Sequence, residues 1–138
     1  MIEIDGSYLE GGGQILRTSL ALAAITQKPC RVYNIRARRK NPGLRTQHLQ
    51  GVRAIAKLCN AKVKGDFLGS TEIAFHPGEL KGGRIGIQIS TAGSVGLIFQ
   101  ILSLPACFCE RDVEIAVKGG ATYGKFAPPV DYINLVLL

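Results

Sequence analysis

The chain has 138 residues, 46% of them hydrophobic, and a formal net charge of +7. That length suits one ordinary domain or two small units, and the apolar fraction is enough for a real core. No apolar run is long enough to span a membrane, and no basic-then-apolar leader precedes the first strand pattern. The expectation is a cytoplasmic protein with no membrane partner.

Ile2 to Asp5 alternates apolar and acidic residues, as a short strand does. Glu10-Gly11-Gly12-Gly13-Gln14-Ile15-Leu16-Arg17 follows, and then a helical pattern over Gln14 to Gln27 with Leu16, Leu20, Ala23 and Ala24 on one face. The glycines therefore sit at a strand-to-helix turn, where the backbone can approach a ligand closely. The unpaired N–H groups of the helix start favour a phosphate there. Glu10 is a hard oxygen donor for a divalent metal, and Arg17 lies about one turn into the helix. The spacing matches neither G-x-G-x-x-G nor G-x-x-x-x-G-K-[ST]. A plain acidic glycine turn would look the same.

Lys28-Pro29 ends this helix. Cys30 to Ile35 predicts a strand with Cys30, Val32 and Asn34 on one face and Arg31, Tyr33 and Ile35 on the other. Arg36 to Leu44 is a basic loop with an Asn41-Pro42-Gly43 turn. Thr46 is the expected cap of a helix over Gln47 to Cys59. Ala61 to Lys64 and Gly69 to Phe75 predict two strands. Arg84 to Ser90 predicts another, Thr91 to Ser94 a small-residue turn, Val95 to Cys107 an apolar helix, and Asp112 to Lys118 a strand. A loop over Gly119 to Pro129 leads to a last helix from Pro129 or Val130.

Charge is distributed unevenly along the chain. No Asp or Glu occurs between Gly11 and Gly65, an interval that holds Arg17, Arg31, Arg36, Arg38, Arg39, Lys40, Arg45, Arg53 and further lysines. A tract this free of acids favours a polyanion, nucleotide or nucleic acid, and its arginines suit bidentate phosphate contact. The four cysteines, Cys30, Cys59, Cys107 and Cys109, form no C-x-x-C, and with His48 and His76 they complete no zinc spacing. Buried, reduced thiols are expected.

The order strand, small-residue turn, helix, strand, long loop, helix occurs twice. It predicts an α+β chain with a first unit over residues 1–82 and a second over 83–138. The second ends before its final strands, at an uncapped apolar Leu135 to Leu138, which predicts that the chain is the front part of a longer protein.

The chain resembles RNA 3′-terminal phosphate cyclases over essentially its whole length. The resemblance rests on Asp5-Gly6, Glu10 to Arg17, Ile35-Arg36-Ala37, Pro42-Gly43-Leu44-Arg45, Gln47-His48-Leu49 and Gly69-Ser70-Thr71-Glu72. It continues through Thr91-Ala92-Gly93-Ser94 with Gln100, Lys118-Gly119-Gly120, and Ala127-Pro128 with Asp131-Tyr132. It implies repeated βαβαββ units like the C-terminal domain of translation initiation factor three, with two helices on one face of a mixed four-stranded sheet. It implies an ATP-dependent ligase of RNA processing, requiring a divalent metal (Mg or Mn). In that reaction an RNA 3′-phosphate becomes a 2′,3′-cyclic phosphate: a histidine takes AMP, passes it to the RNA 3′-phosphate, and the 2′-hydroxyl then displaces it. Carried over by position, Glu10 matches the metal-side carboxylate, Arg17 and Arg39 the phosphate-binding arginines, and Gln100 and Pro128 the nucleotide contacts. Arg36, Gln47 and His48 match the substrate-side lining.

The family's nucleophilic histidine lies past Leu138, so no catalytic residue is expected in this chain, which should be inactive alone. Pro128 falls in a loop slightly longer than the family pattern. His76, before Pro77 at a strand end, is expected to be structural. Two alternatives remain: a non-catalytic relative acting in ribosome assembly, and a bare RNA-binding module that uses the Arg36–Arg45 loop.

Overall fold

The computed structural model describes residues 1–124, 127, 129–132, 134 and 135. Strand β1 (Ile2–Asp5), helix α1 (Gly13–Thr26), β2 (Cys30–Tyr33), α2 (Thr46–Leu58), β3 (Lys62–Lys64) and β4 (Ile73–His76) follow in order. The strands form a mixed sheet in the order β1-β2-β4-β3. β1 and β2 run parallel, with Ile2 opposite Cys30 and Asp5 opposite Tyr33. β4 is antiparallel to both β2 and β3. Parallel neighbours need a crossover, which α1 supplies.

Alternation along the strands gives the sheet one buried face. Cys30, Val32, Ile73 and Phe75 turn inward with Leu16, Leu20 and Ala24 of α1 and Val52 and Ile55 of α2. Ile35 departs from the expected phase. Asn34 takes φ +53, ends the strand, and swings Ile35 into the core at 1% exposure.

β5 (Gly83–Ser94), α3 (Val95–Ala106) and β6 (Val113–Ala121) follow, with β5 and β6 parallel. Ile85, Ile87 and Ile89 of β5 and Ile98, Ile101 and Leu102 of α3 join the same core as the first sheet. The α3 helix lies against α1 and α2, and α2 also lies against β5. Thr91 to Ser94 is not the expected turn. The strand continues through it with a register shift between Ile89 and Ser94, and Ser94 then caps α3, its Oγ accepting from Leu97 N–H at 3.3 Å. A bulge of this kind re-aims a strand without ending it. A short α4 (Val130–Tyr132) falls where the last helix is expected.

Two further expectations are corrected. The fourth strand begins at Ile73, not Gly69, because the Gly69–Ser70 backbone pairs with Leu44: Gly69 N–H donates to Leu44 O and Leu44 N–H to Ser70 O, both at 2.8 Å. Gly43 sits at φ +78 with the Gly69 carbonyl so close that no Cβ would fit. All four cysteines are free, but only Cys30 and Cys59 are buried; Cys107 is exposed and Cys109 half-buried at the turn that ends α3. Burial pushes the Cys30 thiol up to about 11. Among the described residues, no helix is long and apolar enough to cross a membrane.

Candidate phosphate-binding site at the start of α1

Helix α1 begins without a side-chain cap: Gly12 is its N-cap, and no acidic residue lies in its first turn. Of the three glycines only Gly11 takes a left-handed conformation, at φ +62. The other two matter for what lies against them. A Cβ added at Gly12 would lie 3.1 Å from Arg39 Nη2. One added at Gly13 would lie 2.7 Å from His48 Cδ2 and Nε2 and 3.2 Å from Arg17 Nη1. Missing side chains thus let a histidine and two arginines close on the open end of the helix.

The basic loop is tied to this turn. Arg39 Nη2 donates to Glu10 Oε1 at 2.9 Å. Arg38 Nη1 donates to the Leu9 carbonyl at 2.8 Å. Arg36 takes φ +53, a conformation costing about 1–2 kcal/mol for a residue with a side chain. Its Nη1 donates to the Asn41 and Gly43 carbonyls, each at 2.8 Å, closing the loop on itself. Burial, then the charges of Arg39 and Arg45, lower the Arg36 pKa.

His48 is buried at 8% exposure. It performs the task expected of Thr46, though differently. Arg45 is the N-cap of α2, and its N–H donates to His48 Nδ1 at 3.2 Å. Burial first, then the charges of Arg36, Arg17 and Arg45, push the imidazole down to about 4. It is neutral at pH 7. Its Nδ1 lone pair is engaged, so Nε2 carries the proton. His48 therefore faces Gly13 as a neutral hydrogen-bond donor, with no free lone pair for nucleophilic attack.

Arg17 Nη2 donates to Gln14 Oε1 at 2.9 Å, and burial lowers its pKa. Its Nε is buried without a hydrogen-bond partner. Among the described residues one other buried side-chain polar atom shares that condition: Oε1 of Gln100, on α3. Both residues stand among the candidates named from the sequence. An unsatisfied buried polar group costs roughly 1–3 kcal/mol, and a bound water, ion or ligand would satisfy it.

The structure thus joins Glu10, Arg17, Arg36, Arg39 and His48 around one turn. Gln47 is half-buried at the start of α2; a Cβ on Gly93 would lie 3.2 Å from Gln47 Cβ, so the β5 bulge abuts this edge. Gln100 lies on α3, which packs against α1, and among the described residues its Oε1 makes no hydrogen bond to the arginines. Pro128 lies outside the described residues. Glu10, its side chain 83% exposed, offers one carboxylate. Among the described residues no group of three His, Cys, Asp or Glu side chains could hold a metal. An all-protein cage is therefore not built here, whereas Mg²⁺ is commonly held by one or two carboxylates and substrate phosphates. Arg38 and Arg45 were visible in the sequence only as charge; nothing there assigned one to the Leu9 carbonyl or the other to the His48 cap.

The family model for RNA 3′-terminal phosphate cyclase matches residues 8–138. This chain belongs to that family. Similar proteins, each called RNA 3′-terminal phosphate cyclase, include one from Ignicoccus hospitalis, 54% identical over 99% of this chain and 38% of that protein. One from Archaeoglobus fulgidus is 54% identical over 100% of this chain and 42% of its own length. One from Pyrococcus furiosus is 56% identical over 96% and 39%. The chain spans about two fifths of the length of these relatives. Its resemblance to the cyclases is thereby established as membership.

Proposed function

We propose that this chain carries the nucleotide- and phosphate-binding part of an ATP-dependent RNA 3′-phosphate cyclase, acting on RNA that ends in a 3′-phosphate. The observation that carries the reading is the pair of orphaned buried atoms, Arg17 Nε and Gln100 Oε1, on two helices packed together. One is a cationic donor suited to phosphate and the other an acceptor suited to a base or ribose edge. ATP, with a divalent cation at Glu10, would supply a good leaving group for a phosphate that is otherwise a poor electrophile. Arg17, Arg39 and the uncapped N–H groups of α1 would hold the phosphates and neutralise charge that builds during transfer. His48, through Nε2–H, would orient an acceptor oxygen. Arg36 and Gln47 would line the RNA side.

In this reading residues 1–82 and 83–138 are two copies of one unit. The parallel pair β1 and β2 joined through α1, and the parallel pair β5 and β6 joined through α3, support that division. Superposing the halves tests it: β5 should overlay β1.

The chemical test incubates this chain, with a full-length cyclase of the family as positive control, with α-labelled ATP and a divalent metal, followed by denaturing electrophoresis. Label is expected on the control only, because without the histidine that the family uses, nucleotidyl transfer loses several orders of magnitude of rate. Label on this chain that disappears in His48→Ala would overturn the assignment of His48. Failure of this folded chain to bind ATP in isothermal titration would favour the non-catalytic relative.

A further inference from the structure

A second basic feature lies away from the glycine turn. A cleft of about 620 Å³ opens between the outer side of α2 and the β5–β6 pair; Gln50, Arg53 and Lys57 line it from the helix and Gln88 and Lys118 from the strands. Among the described residues no carboxylate lines it. Arg53 shares its charge with Asp66 outside the cleft, Nε to Oδ2 at 3.6 Å, and also donates from Nη2 to the Asp66 carbonyl at 3.1 Å. Among the described residues, Lys57 Nζ donates to the Gly86 carbonyl alone, at 3.4 Å. Arg53, Lys57, Gln88 and Lys118 are all exposed.

The cleft continues from the site already described. Gln47 stands in the first turn of α2 beside the β5 bulge, and Gln50, Arg53 and Lys57 succeed it at spacings of three and four along one side of the helix, opposite the buried His48. At 1.5 Å per residue, Lys57 lies about 15 Å along the axis from Gln47. A polyanion that ends at the start of α1 would therefore find a row of cations and amides along α2, ending opposite Lys118. Flexible cations with neutral amides between them suit a phosphate backbone that is followed without being read base by base.

We infer that this cleft is the track for single-stranded RNA upstream of its 3′-phosphate end, with Arg53, Lys57 and Lys118 contacting backbone phosphates. The inference rests on the reading of the glycine turn as the place where the RNA end is bound.

The test is a fluorescence-anisotropy titration of the 138-residue chain with a labelled single-stranded RNA that carries a 3′-phosphate, repeated over a range of salt. The triple variant Arg53→Gln, Lys57→Gln, Lys118→Gln changes exposed side chains, and thermal melts check that it folds. RNA affinity should fall about tenfold or more, and the slope of log K against log salt should flatten by about 2, near 0.7 for each of three phosphate contacts. Binding of ATP should stay unchanged. Wild-type RNA affinity and salt slope in the folded triple variant would overturn the inference. So would tighter binding of polyglutamate than of RNA to the wild-type cleft, which would make it a seat for an acidic peptide. The double variant Arg17→Ala, Arg39→Ala separates the two readings. If the triple variant loses RNA while the double variant keeps full ATP affinity, the track stands and the cyclase-site assignment fails. If only the double variant loses RNA, the site stands and the track fails.

Discussion

Arg31 and Arg17 belong to the same acid-free tract of sequence but live in opposite surroundings. On the exposed face of the first sheet, Arg31 Nε and Nη2 meet the two carboxylate oxygens of Glu72 at 2.7 and 2.8 Å, and Nη1 meets Glu3 at 3.0 Å. Those bonds, Glu72 first, raise its pKa, and Tyr33 lies 5.4 Å beneath the guanidinium. At the start of α1 the balance is reversed: Arg17, Arg36, Arg39 and Arg45 gather round the turn, and Glu10 is the carboxylate paired there. Two carboxylates on one arginine make a closed network. Several arginines with one carboxylate leave positive charge over for an incoming anion. The count of basic residues was therefore a poor guide to the partner. Arg31, included in the polyanion expectation, is tied to the sheet.

The largest expected contrast is in ligand binding. Arg17→Ala with Arg39→Ala should weaken ATP affinity by more than about 100-fold, each charge-assisted contact being worth roughly 1.5–3 kcal/mol. Arg31→Ala should leave it unchanged. Isothermal titration of the variants checks both, and equal losses would erase the distinction between the two regions.

The next effect is on stability and belongs to His48. Its pKa is about 4 in the folded chain against 6.5 for the free imidazole. Between those values the unfolded chain binds a proton that the folded chain refuses. Stability is therefore fully present above pH 6.5, falls as pH drops through this window, and levels off below 4, with a total loss of about 3 kcal/mol. Denaturant titrations across pH should show the loss, and His48→Asn should remove most of it. A pH dependence identical in both chains would place the titration elsewhere.

A smaller but more local effect comes from Gly13→Ala. The backbone there is ordinary helix, and alanine would normally help by about 1 kcal/mol. Here the added Cβ meets the buried His48 ring at 2.7 Å, and overpacking costs about 1–3 kcal/mol. We expect a net lowering of Tm together with weaker ATP binding. A stabilised variant with unchanged ATP affinity would show that His48 has room to withdraw. The smallest change is expected from Glu72→Gln: an exposed pair contributes little to folding, so Tm should drop only slightly and ATP affinity should not move.

Much of the architecture could be read locally. Periodicity located α1, α2, α3 and β6 because each buries one continuous face, and the glycine run and family motifs marked the turn before α1. The positions that departed were those fixed by contacts distant in sequence. Ile35 turned inward because Asn34 changed the backbone phase. The start of β4 moved because Leu44 had already claimed the Gly69–Ser70 backbone. Ser94 became a cap rather than a turn residue because β5 continues alongside β6.

The same division holds at the site. Sequence by itself determined which groups were on offer: a carboxylate, a glycine turn at a helix start, arginines that stay charged, and a glutamine on an apolar helix. It determined family membership as well, since ordered motifs survive without knowledge of shape. Only the tertiary structure decided which arginines were left with charge to give. A guanidinium is neutralised by whatever carboxylate the fold brings within about 3 Å, and Glu72 lies 41 residues from Arg31. Only the packing of α2 against the α1 turn placed His48 beside Gly13, where burial keeps it neutral and the Arg45 amide occupies its lone pair. Charge and burial are properties of neighbourhoods in space, and the order of residues along a chain does not specify them.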